Sequence, residues 1–186
     1  MAAHARAIQE RERHLEQTRG YPFLVGRGPK ASATVRPAPL RYWQYDAARS
    51  TAVIFVAVVV TVWLGLFGWV GGSSALVDEA PLALGLGLVV LLLSTCRFTV
   101  SDHGVSTDVA GSRTSPGNVV PLMLVRDVRL GDAPADWPSP TRQGGRWPGR
   151  QRVAVRHLAE DGQTDTAFTH WVRDPAAFAA ALGHPL

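Results

Sequence analysis

The chain of 186 residues has few cysteines and few charged side chains. Cys96 is the only cysteine, so no internal disulfide can form and a disulfide scaffold is excluded. Only 18% of residues are charged, and Lys30 is the one lysine beside 18 arginines. Glycine has no fixed period, which excludes a collagen-like chain. The strong preference for arginine, with abundant alanine, glycine and proline, is typical of a high-GC bacterial genome.

Two long stretches contain no charge at all, from Ser50 to Val77 and from Ala80 to Cys96. Thr51–Val70 has 20 residues, enough at ~1.5 Å per residue to cross a hydrocarbon core of ~30 Å. Ala80–Cys96 has 17 residues and is the shorter span. Neither stretch has the polar stripe of a soluble amphipathic helix. We therefore expect an integral membrane protein with a two-helix hairpin over residues 41–96.

The distribution of basic residues predicts the orientation of this hairpin. Nine arginines and lysines precede the first span, Arg97 follows the second, and the connector 71–79 has none. By the positive-inside rule both termini are cytoplasmic, which predicts a multi-pass protein of the cytoplasmic (inner) membrane. Tyr42, Trp43 and Tyr45 then fall at the inner interface and Trp69 at the outer one. The net charge of +4 therefore mainly reflects the membrane topology and does not indicate nucleic-acid binding.

Residues 1–40 form an N-terminal region with two parts. Residues 1–20 are free of proline and favour a helix, but Ile8 and Leu15 are its only large aliphatic side chains. We expect a mobile or partner-dependent helix. Residues 20–40 contain four prolines and three glycines and are typical of an extended linker.

In residues 97–186 the pattern changes to short segments in which apolar and polar residues alternate. Phe98–Val100 and Val105–Val109 predict a hairpin, and two short strands are expected around a turn at 124–127. A second hairpin turns at Asp161-Gly162 and joins 152–158 to 164–172. Asp174 is suited to the N-cap of a final helix that begins at Pro175 and is closed by Gly183. The pattern predicts a small α+β domain.

This region resembles the bacterial pleckstrin-homology-like (PH-like) domains that follow transmembrane hairpins in short membrane proteins. The residues that carry the resemblance are Phe98–Val105, Val120–Val128 and Val172–Leu182. The resemblance implies an antiparallel bent sheet or partly open barrel with a C-terminal capping helix. It implies no particular ligand, because the fold serves as an adaptor for lipids, peptides and proteins.

The insert between Gly131 and Arg150 is the best candidate for a binding site. It combines tryptophan with arginine in a background of proline and glycine, and arginine near an anionic leaflet gains about 1 kcal/mol each. The candidate contacts for a lipid headgroup or a partner are Trp137, Arg142, Arg146, Trp147, Arg150 and Arg152. The alternative is a solvated loop whose tryptophans fold back on the domain.

Small residues recur at four-residue spacing in both spans, a pattern that lets helices approach closely. They are Ala57, Thr61 and Gly65 in the first span and Ala83 and Gly87 in the second. They indicate packing within the hairpin, or oligomerisation or docking to a larger membrane protein.

No pattern predicts catalysis, a metal site or a cofactor. Ser101, Asp102 and His103 are neighbours in a turn, whereas a catalytic triad normally comes from separate elements. In the predicted last hairpin, His157 and His170 lie ~13 Å apart, too far to share an ion. We therefore expect a non-enzymatic membrane protein that presents an interaction domain at the cytoplasmic face. The alternative is an accessory subunit of a transporter, secretion or cell-envelope complex, docked through its hairpin.

Overall fold

The computed structural model describes residues 2–19, 21, 39–46, 50–109, 118–144, 149–159 and 161–186. Its helices are α1 (Ala2–Arg19), α2 (Ser50–Leu93) and α3 (Pro175–Ala181). Its strands are β1 (Tyr42–Asp46), β2 (Cys96–Val100), β3 (Gly104–Val109), β4 (Val119–Pro121), β5 (Val125–Leu130), β6 (Thr141–Arg142), β7 (Gln151–Leu158) and β8 (Asp165–Val172). This mixture of helices with two four-stranded sheets confirms the predicted α+β class.

The first sheet is antiparallel, with the order β1-β2-β3-β4. Its β2–β3 hairpin pairs Val100 with Val105, as the alternation predicts. Strand β1 was placed by sequence with the membrane segment, but it pairs with β2 from Tyr42–Val100 to Asp46–Cys96. The buried face of β1 carries Gln44 and Asp46 as well as Tyr42, so the strand shows no apolar alternation.

The second sheet has the order β5-β7-β8-β6, with β6 parallel to β8. The β7–β8 register pairs His157 with Thr166 and Val153 with His170, as predicted. The turn expected at 124–127 lies earlier, in a 3₁₀ turn at Leu122–Leu124. Val125 is buried and pairs with His157 of β7. Strand β5 therefore already begins at Val125, inside the predicted turn.

The core between the sheets contains a group of aromatic rings in contact with one another. Phe178 of α3 has its ring centroid 5.3 Å from Phe98 and 5.5 Å from Tyr42. Asp174 caps α3 by accepting from the Ala177 N–H at 2.9 Å, which confirms the predicted N-cap. Gly183 follows the helix with a φ of +79°, the left-handed conformation expected of a C-terminal glycine.

Helix α2 departs from the predicted arrangement of two spans and a nine-residue connector. Its helical structure is interrupted only at Gly72 (φ 72°, ψ −161°) and continues through Asp78 and Glu79. It ends at Leu93, where the hydroxyls of Ser94 and Thr95 bond to helix carbonyls. Residues 73–79 include no helix breaker, and Leu76 packs over Gly68, which explains why the helix resumes so early.

The parts of α2 on either side of Gly72 contact each other. A Cβ placed on Gly87 would lie 2.9 Å from the Val56 side chain and 3.2 Å from that of Val60. The indole N–H of Trp63 donates to Glu79 at 3.2 Å. Thr51–Leu93 is the one helix in the described ranges with the length and composition to cross a membrane, and its most apolar window has no buried residues.

Helix α1 confirms the helix predicted for residues 1–20, but it packs on its own chain. His14 is fully buried against β3 and the β2–β3 turn, and the Arg11 guanidinium donates to the Val119 carbonyl at 3.1 Å. The contacts are largely polar, so a search for apolar periodicity does not find this docking face. The expectation of a mobile or partner-dependent helix is therefore wrong for the described part of the chain.

Candidate interaction site at the foot of helix α2

The described part of the insert, residues 131–144 and 149–150, packs along the second sheet and reaches the first. Its Gln143 N–H donates to the Thr169 carbonyl at 2.9 Å, and the Thr107 hydroxyl donates to the Gln143 side chain at 2.9 Å. Gly144 follows directly beside His170 and Asp46. The insert is therefore attached near the point where β1 leads into α2, because Asp46 is only four residues before Ser50.

The predicted contact residues differ in their burial and in their contacts. Trp137 is buried against Ala154 and Ala167 on the second sheet, so this tryptophan folds back on the domain. Arg142 is exposed in β6. Arg146 and Trp147 lie outside the described residues.

Arg150 and Arg152 make ion pairs within the domain. The Arg150 side chain is only 10% exposed, pairs with Asp46 and donates to the Tyr45 carbonyl at 3.0 Å. Arg152 pairs with Asp132 and lies 4.9 Å from the ring centroid of Trp171. A headgroup could engage Arg150 only if the buried pair with Asp46 opened. Of the predicted contact arginines that the structure describes, Arg142 is the exposed one.

A buried polar cluster, which the sequence did not indicate, surrounds Asp46. Its Oδ2 lies 3.3 Å from Nε2 of His170, and its Oδ1 accepts from Gln44 at 3.0 Å. His170 is fully buried and stacks on Phe98 with ring centroids 3.9 Å apart. The Gln44 amide also donates to the Trp171 carbonyl at 2.7 Å. We call Gln44, Asp46, Arg150 and His170 the foot cluster, because it joins β1, β8 and the insert, and Asp46 is four residues before the start of α2.

The described residues show no catalytic arrangement among Ser101, Asp102 and His103. The Ser101 hydroxyl bonds to His14, Asp102 pairs with Arg41 at 2.6 Å, and His103 pairs with Glu10 at 2.7 Å. Each side chain therefore serves a separate contact. Among the described residues, no group of three or more histidine, cysteine, aspartate or glutamate side chains could hold a metal ion.

A cavity of about 290 Å³ opens between β4 and the β7–β8 hairpin. Arg11, Gln143, His157 and Thr166 contribute polar groups to its wall, and Phe168 lines its apolar part. Burial lowers the pKa of His157, which favours a neutral imidazole. That imidazole already bonds to the Leu158 carbonyl at 2.9 Å and to the Thr166 hydroxyl.

The small residues of α2 divide into two groups. Ala83 and Gly87 are buried where the two parts of the helix meet. Ala57, Thr61 and Gly65 are exposed, and a Cβ added to Gly65 would meet nothing within 4 Å. Ala83 and Gly87 therefore pack inside the chain, whereas Ala57, Thr61 and Gly65 present small side chains on the exposed surface of α2.

Comparisons with protein-family models, with curated proteins and with solved structures found no match to this chain.

Substitution of Gly144 by alanine should disrupt the attachment of the insert. Gly144 has a φ of +71°, and an added Cβ would lie 2.7 Å from Cε1 of His170. Gly149→Ala is a matched control, because Gly149 has nearly the same φ (+74°) and open space around it. We expect Gly149→Ala to cost about 1–2 kcal/mol of unfolding free energy from backbone strain. Gly144→Ala should cost about 1–3 kcal/mol more from the collision.

Chemical denaturation of the full chain in detergent micelles, followed by tryptophan fluorescence, measures both values. Equal losses in the two variants would show that Gly144 does not approach His170 as described.

Proposed function

We propose that this chain is a non-enzymatic integral membrane protein that holds a PH-like interaction domain against the cytoplasmic face of the membrane. The supporting observation is the place of α2 in the topology. The exposed apolar helix leaves the first sheet after β1 and returns to it at β2, and these two strands pair with each other. A domain attached at two adjacent strands has little freedom to move away from the bilayer.

In this proposal α2 crosses the membrane as a hairpin that turns at Gly72. Each part has just over 20 residues, or about 31–33 Å of helix, which matches a hydrocarbon core of ~30 Å. Glu79 then lies about 10 Å below the turn, where an ionisable group is costly. The Trp63 N–H gives that carboxyl group a hydrogen-bond partner at this depth.

The PH-like assignment is supported by the arrangement of the two sheets. A four-stranded antiparallel sheet faces a second four-stranded sheet, and α3 packs its Phe178 into the core between them. This layout supports the PH-like part of the proposal. The insert is attached at the foot cluster through Arg150, which pairs with Asp46 four residues before α2 begins.

A second candidate function is docking to a larger membrane protein or to another copy of the chain. The exposed face of Ala57, Thr61 and Gly65 favours it, because small residues that do not pack within the chain allow another helix to approach. In that case the domain would be part of an accessory subunit, and the hairpin would carry the specificity.

Cysteine labelling tests the proposed membrane topology. In a Cys96→Ala background, Ser73→Cys places a thiol next to the turn at Gly72, and Ser139→Cys places one on the exposed insert. With a membrane-impermeant maleimide, we expect labelling of Ser73→Cys in intact spheroplasts and of Ser139→Cys only after lysis. Equal labelling of both variants before lysis would contradict the proposal.

Hydrogen exchange tests the proposed lipid contact. The full chain is compared in nanodiscs of phosphatidylcholine alone and with added phosphatidylserine. We expect slower exchange in residues 131–150 with the anionic lipid, because arginines near an anionic surface gain about 1 kcal/mol each. The double variant Arg142→Gln/Arg146→Gln should remove this difference.

The control for this experiment removes the same charge from the exposed arginines of β5, in Arg126→Gln/Arg129→Gln. It should leave the lipid effect in place. If neither lipid nor the insert variant changes exchange, the insert does not bind headgroups, and docking through α2 becomes the favoured function.

A further inference from the structure

Helix α1 is held on the first sheet by a histidine in an unusual position. His14 is fully buried, with Nδ1 2.7 Å from the Ser101 hydroxyl and Nε2 2.8 Å from the Ser106 hydroxyl. The imidazole lies beside Gly104, where an added Cβ would be in ordinary van der Waals contact with it at 3.5 Å. The imidazole ring is therefore the central contact of the α1 interface.

The surrounding hydrogen bonds assign the protonation state of His14. The Ser101 oxygen accepts the backbone N–H groups of His103 at 3.0 Å and Gly104 at 3.2 Å. These two bonds use both acceptor positions of a hydroxyl oxygen. Ser101 can then only donate its proton to His14, so Nδ1 must be an unprotonated acceptor and Nε2–H must donate to Ser106.

We propose that α1 is a proton-sensitive latch: it stays docked on the first sheet while His14 is neutral, and protonation of His14 releases it. A proton on Nδ1 would point an N–H at the Ser101 oxygen, which has no acceptor position left. It would also create a buried cation that, among the described residues, has the two serine hydroxyls and the Gly104 backbone as hydrogen-bond partners and no carboxylate in contact.

Other charged groups around the interface modify this effect. On the sheet side, Asp108 of β3 favours the charged imidazole, while Arg97 of β2 and His103 in the β2–β3 turn oppose it. Arg97 is paired with Asp108 at 2.8 Å and also donates to the carbonyls of Thr18 and Tyr21. On α1 itself, Glu10 is engaged by His103 and Arg11 by the Val119 carbonyl.

Burial is the main cause that lowers the pKa of His14, from 6.5 to about 4. The pKa of His14 is lower when α1 is docked than when α1 is free. Docking is therefore fully favoured above pH 6.5, where the imidazole is neutral in both states. It weakens as the pH falls from 6.5 towards 4. With these two values, the docking equilibrium constant should fall about 30-fold between pH 7.5 and pH 5.

Hydrogen exchange on the full chain in detergent micelles measures this directly, after correction for the intrinsic pH dependence of exchange. In the wild type, we expect the protection of α1 amides to fall about 30-fold between pH 7.5 and pH 5. Protection in β7 and β8 should fall by less than in α1, because burial also lowers the pKa of His157 in β7. A flat profile for α1, or an equal loss in α1 and the sheets, would overturn the proposal.

Two variants separate His14 from its neighbours. His14→Gln can accept from Ser101 and donate to Ser106 but cannot be protonated, so its α1 protection should lose the pH dependence. His103→Gln keeps His14 and should retain the full fall. If His103→Gln abolishes the fall, the His103–Glu10 pair drives the release and the proposal is wrong, a conclusion that does not depend on whether His14→Gln docks.

Discussion

The structure depends on the buried ion pair between Asp46 and Arg150. Asp46 ends the strand that leads into the apolar helix, and Arg150 ends the insert that precedes β7. Both side chains are almost fully buried, and His170 and Gln44 contact the same carboxylate. A buried charge without its partner is costly, so this contact fixes the position of the insert and the second sheet relative to the base of α2. The proposed function uses that constraint, because the pair keeps the end of the insert next to the strand that leads into α2.

Much of the fold was accessible from local sequence signals. The Asp161-Gly162 turn determined the register of β7 and β8, and Asp174-Pro175 marked the start of α3, because turn and cap residues act through their nearest neighbours. The apolar character of α2 was equally clear. The expected connector began at Gly71, next to the break observed at Gly72, but it was expected to extend to residue 79, whereas the helix resumes directly after Gly72.

The parts that the sequence did not reveal are held by buried polar groups. Strand β1 presents Gln44 and Asp46 to the interior, and α1 presents His14, so neither has the apolar periodicity that sequence analysis relies on. Their partners are distant in sequence: His170 lies 124 positions after Asp46, and Ser101 lies 87 positions after His14. The pairing of Arg150, a predicted headgroup contact, with Asp46 was not predicted for the same reason, because the two residues are 104 positions apart.

A double-mutant cycle on Asp46 and Arg150 tests the central claim, that this pair connects the insert to the base of the apolar helix. Asp46→Asn, Arg150→Gln and the double variant are unfolded with urea as full chains in micelles. Each single change leaves a buried polar partner and should cost about 3 kcal/mol or more. The double variant should lose clearly less than the sum, with a coupling energy of about 2 kcal/mol. Coupling within about 0.5 kcal/mol of zero would contradict the account, because the two residues would then stabilise the fold independently.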